Sequence, residues 1–548
     1  MQIRSHLILL AGVMFFGTAT AWGQHKHEPG GTDKVGRVDF PVSCKPASQA
    51  RFNRAVAMLH SFWYEESEAA FRELAKNDAG CAMAHWGVAM SFYHPLWSQT
   101  FVQVLDIGRE TLAKARAGLA IKGSPREIAF VEALEALYKV GQLDYPTRAQ
   151  NYEAAMEKVY QTYPDDDEAA VFYALSLVGT AQALPADKTY SREKKAAEIL
   201  NRVLHKQPNH PGVAHYLIHA YDFPALANLA LDAARSYAKI APAVPHALHM
   251  PSHIFTRLGL WQESISSNLD SEAAAKDYAR RTKMVGVWDQ QLHAMDYLVY
   301  AYLQLAQDNK AKSVLDEVNR ILKTHEETPA AAYTLAAVPA RYALERRQWS
   351  EAAALELRPK GFSWDRLPWA RAIVYFARGI GAARQGEVAV ARAAITSLEK
   401  SKADLAGAKG YDWATQVEVQ RLVVAAWLAL ADGKDEESLA LMRSAAELED
   451  RTDKHPVTPG VIIPARELLA DLLLELKRPL EALKEFEAAL GNAPNRFNGI
   501  YGAARAAELA GDKPKAREYY AKLLALCAGE CNQRTALQQA KSFLAQSH

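Results

Sequence analysis

Cysteine is scarce in this chain: four residues in 548, Cys44, Cys81, Cys527 and Cys531. None has the Cys-x-x-Cys spacing of a redox pair, which sets aside thiol–disulfide exchange as its chemistry. Charge of one sign is missing too. Lys and Arg number 64 against 63 Asp and Glu, for a net charge of +1. No basic excess is on offer to a nucleic-acid backbone, so a nucleic-acid partner is not expected. After the first residues there is no apolar run of the ~18 residues that a membrane span needs. Gly-rich phosphate loops and nucleophile elbows are also absent from the sequence, which removes the common signatures of nucleotide and acyl-transfer enzymes. Apolar residues make up 49% of the chain, with Ala and Leu abundant, a composition that suits a folded helical protein.

The amino end reads as a secretory signal. Arg4 supplies the charged start, Leu7 to Phe16 the apolar core, and Gly17 to Ala21 the small residues before cleavage. Residues 1–23 are therefore expected to be a signal peptide, and the protein to be exported, periplasmic or secreted. No cysteine follows the apolar core, so no lipid anchor is expected, and no transmembrane segment in the mature chain. Residues 24–47, with His25-Lys26-His27-Glu28-Pro29-Gly30-Gly31 at their start, read as a flexible leader. In an oxidising compartment Cys44 with Cys81, and Cys527 with Cys531, are the natural disulfide pairs.

Two copies of one pattern, His-x-x-x-His, lie at His215/His219 and His249/His253, 34 residues apart. Near the carboxyl end Ala482, Phe486, Ala489 and Pro494 form a spaced signature, and Ala516 and Tyr520 recur one period later, after Gly511. Small alanines let two helices approach, the aromatic fills the gap between units, and the proline ends the second helix. Period and positions together resemble tetratricopeptide-repeat (TPR) proteins over almost the whole mature chain. The pattern around His249-Met250-Pro251-Ser252-His253 is also similar to a group of exported bacterial TPR proteins. The resemblance implies an all-α, right-handed helical-repeat solenoid of roughly 8–10 TPR-like helix pairs. Along it fall N-terminal repeats at 48–208, central histidine-lined repeats at 209–325, further repeats at 326–454 and C-terminal repeats at 455–548. His455-Pro456-Val457-Thr458-Pro459-Gly460 reads as an ordered loop, because two prolines and a glycine cannot continue a helix.

In TPR proteins one face of each first helix lines a concave, ligand-holding groove. Laid on this sequence, that register gives nine groove slots across the three central units, and six are histidines: His215, His219, His246, His249, His253 and His293. Gly212, Asp296 and Tyr300 take the other three. Residues four apart share a helix face, and equivalent helices of adjacent units lie ~8–10 Å apart, so these imidazoles can converge. Neutral imidazole is a common ligand for transition metals. Asp296 is the candidate oxygen ligand, and Asp222 could supply another or orient a ring. Many His and few carboxylates favour zinc or copper, with iron also compatible. Neither motif contains the Glu of a zinc protease: the intervening residues are Tyr-Leu-Ile and Met-Pro-Ser. Pro251 should break its helix between His249 and His253, since it cannot donate to the carbonyl of Ala247. Three functions fit: a metal-binding protein, a metalloenzyme built on the same His/Asp cluster, or a metal-free scaffold holding a protein or peptide in the groove.

Overall fold

The computed structural model describes residues 34–96, 104–408, 410–527, 529 and 534–546. The signal segment, most of the leader and Cys531 lie outside them. Residues Thr32–His548 pack as one unit. Among the described residues the elements are helices with no β-sheet, only one isolated bridge between Val287 and Thr324. The chain is an all-α helical-repeat solenoid. Successive helices pair as neighbours, from Pro46–His60 with Tyr64–Asn77 to Phe497–Leu509 with Lys513–Leu526, and Thr535–Gln546 closes the array. No described helix is long and apolar enough to cross a membrane.

Twelve such pairs are present among the described residues, more than the eight to ten expected. The turn inside each pair keeps its geometry while its sequence varies. In eight pairs the residue two before the second helix has positive φ: Phe62, Gly259, Ala306, Arg347, Gly386, Gly433, Lys477 and Gly511. The turn geometry repeats, but only four of the eight carry the glycine that would announce it. Packing supplies the ~1–2 kcal/mol that a left-handed non-glycine residue costs, so the signature fades while the unit persists.

Aromatic-on-glycine contacts couple successive units. Phe486 lies against Gly502, where an added Cβ would fall 2.1 Å from the ring, and Phe71 lies against Gly87, where it would fall 2.4 Å away. The spacing is 16 residues in both cases, so one joint is used near both ends of the array.

The amino-terminal boundary differs from expectation. Residues 34–45 are not a loose leader: Val35, Val38 and Phe40 are buried, and the Phe40 ring meets Phe52, Trp86 and Phe130 at 4.9–5.5 Å. An aromatic set of that area outweighs the entropy of ordering a short segment. The Cys44–Cys81 disulfide is formed and ties this segment to the second repeat. Cys527 is buried at the far end.

Buried apolar side chains form two large clusters. One runs from Val35 to Trp288, the other from Trp261 to Ala540. They meet at the central histidine units. Later repeats return to these units: Trp261 donates to the carbonyl of Asn495 at 2.7 Å, and Arg496 bonds Tyr300, Glu345 and Glu467.

Candidate metal centre

Three consecutive first helices carry the histidines. Pro211–Tyr221 holds His215 and His219. It begins cleanly because Pro211 suits the first helical position and the His210 ring accepts from the Val213 amide. The next first helix is split, Pro245–His249 and Pro251–Arg257, with the break at Met250. Pro251 thus breaks the helix where its missing N–H requires. Asp289–Gln304 carries His293, Asp296 and Tyr297. All six histidines come together, and all are buried, 0–8% exposed.

They fall into two trios, His215/His219/His246 and His249/His253/His293, with ligand atoms within 4.8 Å of one another in each. In the first, His215 Nε2 stands 3.1 Å from His219 Nε2 and 3.2 Å from His246 Nε2. In the second, His249 Nε2 stands 3.0 Å from His253 Nε2, and the His293 ring lies 4.1 Å from the His249 ring. At metal–nitrogen bonds of about 2.0–2.1 Å, two imidazole nitrogens on one tetrahedral ion sit roughly 3.3 Å apart.

The tautomers follow from what each Nδ1 meets. Asn268 donates its amide to the Ser264 carbonyl, so its oxygen is the atom facing His249 Nδ1 at 2.6 Å. His249 therefore donates from Nδ1 and presents a lone pair at Nε2. His253 Nδ1 donates to the Asp222 carboxylate at 2.9 Å, leaving a second lone pair at Nε2. His215 Nδ1 donates to the His60 carbonyl at 2.6 Å, with the same result. The His249 and His253 lone pairs thus face one another across 3.0 Å, a repulsive arrangement unless a cation lies between them. A proton is a poor candidate. Burial first, and then the neighbouring imidazoles, push His215, His219, His246, His249 and His293 well below the ordinary imidazole range. His253 is lowered by burial against the pull of Asp222.

Asp222 anchors the second trio. Burial would raise its carboxyl, but Lys454 and Arg257 outweigh that and hold it well below the usual carboxylate range. Lys454 donates to it at 2.6 Å and Arg257 at 2.9 Å. Burial in turn brings Lys454 down to about 8. Asp296, the expected oxygen ligand, joins neither trio. Its carboxyl faces Arg341, 3.4 Å away, and burial raises it to about 6. It shares a helix face with His293, three residues before it, but Arg341 on the helix Pro329–Glu345 of the neighbouring unit pairs with it.

The expected open groove is closed at this point. The loop at 455–460 crosses the histidines: Tyr297 donates to the Thr458 carbonyl at 3.1 Å, and Pro456 and Val457 wall the site. A cavity of about 20 Å³ remains, lined by His219, His246, His253 and His293. Beside it, past His246, lies a cavity of about 390 Å³ with Glu65, Asp289, Glu326 and Glu327 on its wall. A larger cleft of about 860 Å³ adjoins, lined by Trp369, Tyr411, Trp413 and His455, with the two tryptophans stacked at 4.2 Å.

Asn268, Lys454 and Tyr297 were not singled out in the sequence. Only Tyr297 carried a signal, since it follows His293 by four residues as the second histidine follows the first in each motif. Asn268 lies on a second helix, Trp261–Arg281, outside the groove register.

No protein-family model matches the chain, and no curated protein matches its sequence. Among solved structures, the chain is similar to the Cut9–Hcn1 hetero-tetramer of APC/C, at 12% identity and a TM-score of 0.33, covering 91% of this chain and 83% of that one. It is similar also to human IFIT1 bound to m7Gppp-AAAA as a dimer, at 12% identity and a TM-score of 0.37, covering 82% and 90%. Likenesses this slight have no bearing on function.

Proposed function

We propose that this is an exported helical-repeat protein that binds transition-metal ions through the histidines of its central units. Zinc or copper suits the all-imidazole donors best, and iron is compatible. One observation carries the reading: His249 and His253 each commit Nδ1–H to a fixed oxygen, so their lone pairs meet at 3.0 Å. Three histidines per site with no carboxylate is a donor set of the kind that leaves a position for water or substrate. Export rests on the charged start and apolar core of residues 1–23. The aromatic cleft beside the site favours a second reading, a metalloenzyme or a partner-binding protein whose peptide or small-molecule ligand lies near the metal.

The test is elemental analysis of the mature protein, purified from its native compartment without tag or chelator. Near-stoichiometric zinc, copper or iron is expected. No metal, and no uptake on titration, would overturn the reading and leave a metal-free scaffold.

A further inference from the structure

We infer that the six histidines hold two metal ions as an adjacent pair, three imidazoles to each, and that one small anion bridges them in the cavity between. The inference rests on metal binding as proposed above and adds number, arrangement and a ligand class. Each trio is complete in itself, with its ligand atoms within 4.8 Å. The trios also adjoin. His219 and His253 have ring centroids 6.0 Å apart, and His246 and His249 6.1 Å. The 34-residue period makes this natural, because a motif repeated one unit on builds the same half-site on the next helix.

Charge then calls for an anion. Six neutral imidazoles bring no negative charge to two dications. Asp222 is the buried carboxylate bonded to a ring of the trios, and Lys454 and Arg257 already offset it. Two unscreened dications in a buried site repel strongly. The 20 Å³ cavity is lined by two histidines from each trio, His219 and His246 from one, His253 and His293 from the other, and by one carboxyl, Asp289, whose single charge falls short of two dications. Its volume suits a species about the size of one water molecule, such as hydroxide. The class of ligand is therefore a small anion able to touch both ions, and azide is a convenient probe.

The full mature chain, stripped of metal, would be titrated with Cu(II), passed through gel filtration and assayed for copper. Two equivalents are expected. The double variant His215→Gln with His219→Gln should retain one, and so should His249→Gln with His253→Gln. Paramagnetic resonance of the loaded wild type should show the lost or broadened signal of neighbouring Cu(II) ions, and either double variant an ordinary isolated signal. This comparison does not depend on the variants alone, because the wild-type spectrum reports the pairing directly. Azide should bring up a charge-transfer band that saturates at one azide per two coppers. One copper in the wild type, abolished by either double variant, would overturn the pair while leaving metal binding intact. An isolated signal at two equivalents, or azide saturating at one per copper, would also overturn it. No copper at all would overturn metal binding itself.

Discussion

His60, Glu168 and His210 form a buried cluster in which two imidazoles face a carboxylate, at 2.9 and 2.8 Å. His249, His253 and His293 form another in which imidazoles face each other. Both are inside the protein and both have the spacing of a metal group. They differ in where the hydrogens go. In the first, Glu168 takes a bond from each ring, His60 Nδ1 meets the Tyr216 hydroxyl, and His210 Nδ1 accepts from the Val213 amide. Donors meet acceptors, and the network is complete without a cation. In the second, the oxygens sit behind the rings, on Nδ1, and push lone pairs toward the centre. The position of the carboxylate, not the number of histidines, separates the self-satisfied cluster from the one proposed to hold a metal.

Several substitutions would break or sharpen that contrast. The largest effect belongs to Glu168→Ala, which strips two buried imidazoles of their partner. A loss on the order of 3–5 kcal/mol is expected in denaturant unfolding, with metal content unchanged. Loss of metal with it would show that the two clusters are not separate. Next comes chelation of the wild type. An ion held at a hundredfold over its Kd stabilises by about 2.7 kcal/mol, and Glu168→Ala should lose the same increment on chelation. An unfolding curve indifferent to chelator would count against a native-state metal.

Asp222→Asn is a smaller change, keeping the shape behind His253 and removing the charge. Metal affinity at the second trio should fall roughly 10–100-fold in competition with a coloured chelator, and the first trio should be spared. An equal loss at both would assign Asp222 to general folding instead. Acidity separates the clusters further. The trio imidazoles titrate at 6.5 when unfolded and lower when buried, so below that pH the unfolded chain binds more protons. Their contribution is full above about 6.5 and lost as pH falls. Burial tends to raise Glu168, but His210 and His60 hold it at about 2 against an ordinary 4.5, so its own contribution is full above about pH 4.5 and lost as pH falls through about 2, while burial lowers His60 as it lowers the trio rings. The metal-free protein should lose roughly a few degrees of Tm between pH 7 and 5, and bound metal should protect against that loss. A Tm equally pH-sensitive with and without metal would mean that the trios do not bind it. The smallest effect is expected from Asp296→Asn. It faces Arg341 and belongs to neither trio, so metal affinity should stay within about twofold; a large loss would restore it as a ligand.

Much of this was legible in the sequence, and the limits have physical causes. The helix pairs are readable where Gly386, Gly433 or Gly511 marks the turn, and at the Ala306 turn they are readable only through the register of the flanking helices, because a non-glycine residue adopts the same φ there. The six histidines were readable because they share one face at a fixed period. Asp296 occupied an equivalent slot and was grouped with them, yet Arg341, 45 residues later, pairs with it. Periodicity reports the direction of a side chain and is silent about what stands opposite.

The sequence by itself determined the repeat, the register and the column of imidazoles, because spacings of 4 and 34 residues act through the local geometry of one helix and the stacking of the next. Tertiary structure alone decided which ring nitrogen is turned inward and whether the site sees water. Those choices were made by the His60 carbonyl, Asn268 and Asp222 behind the rings, and by the loop from Lys454 to Gly460 above them. Lys454 lies 232 residues from the Asp222 it holds, and His60 lies 155 from His215. Contacts over such separations leave no period in the chain, since they depend on how far the solenoid curves before its later repeats meet its middle ones.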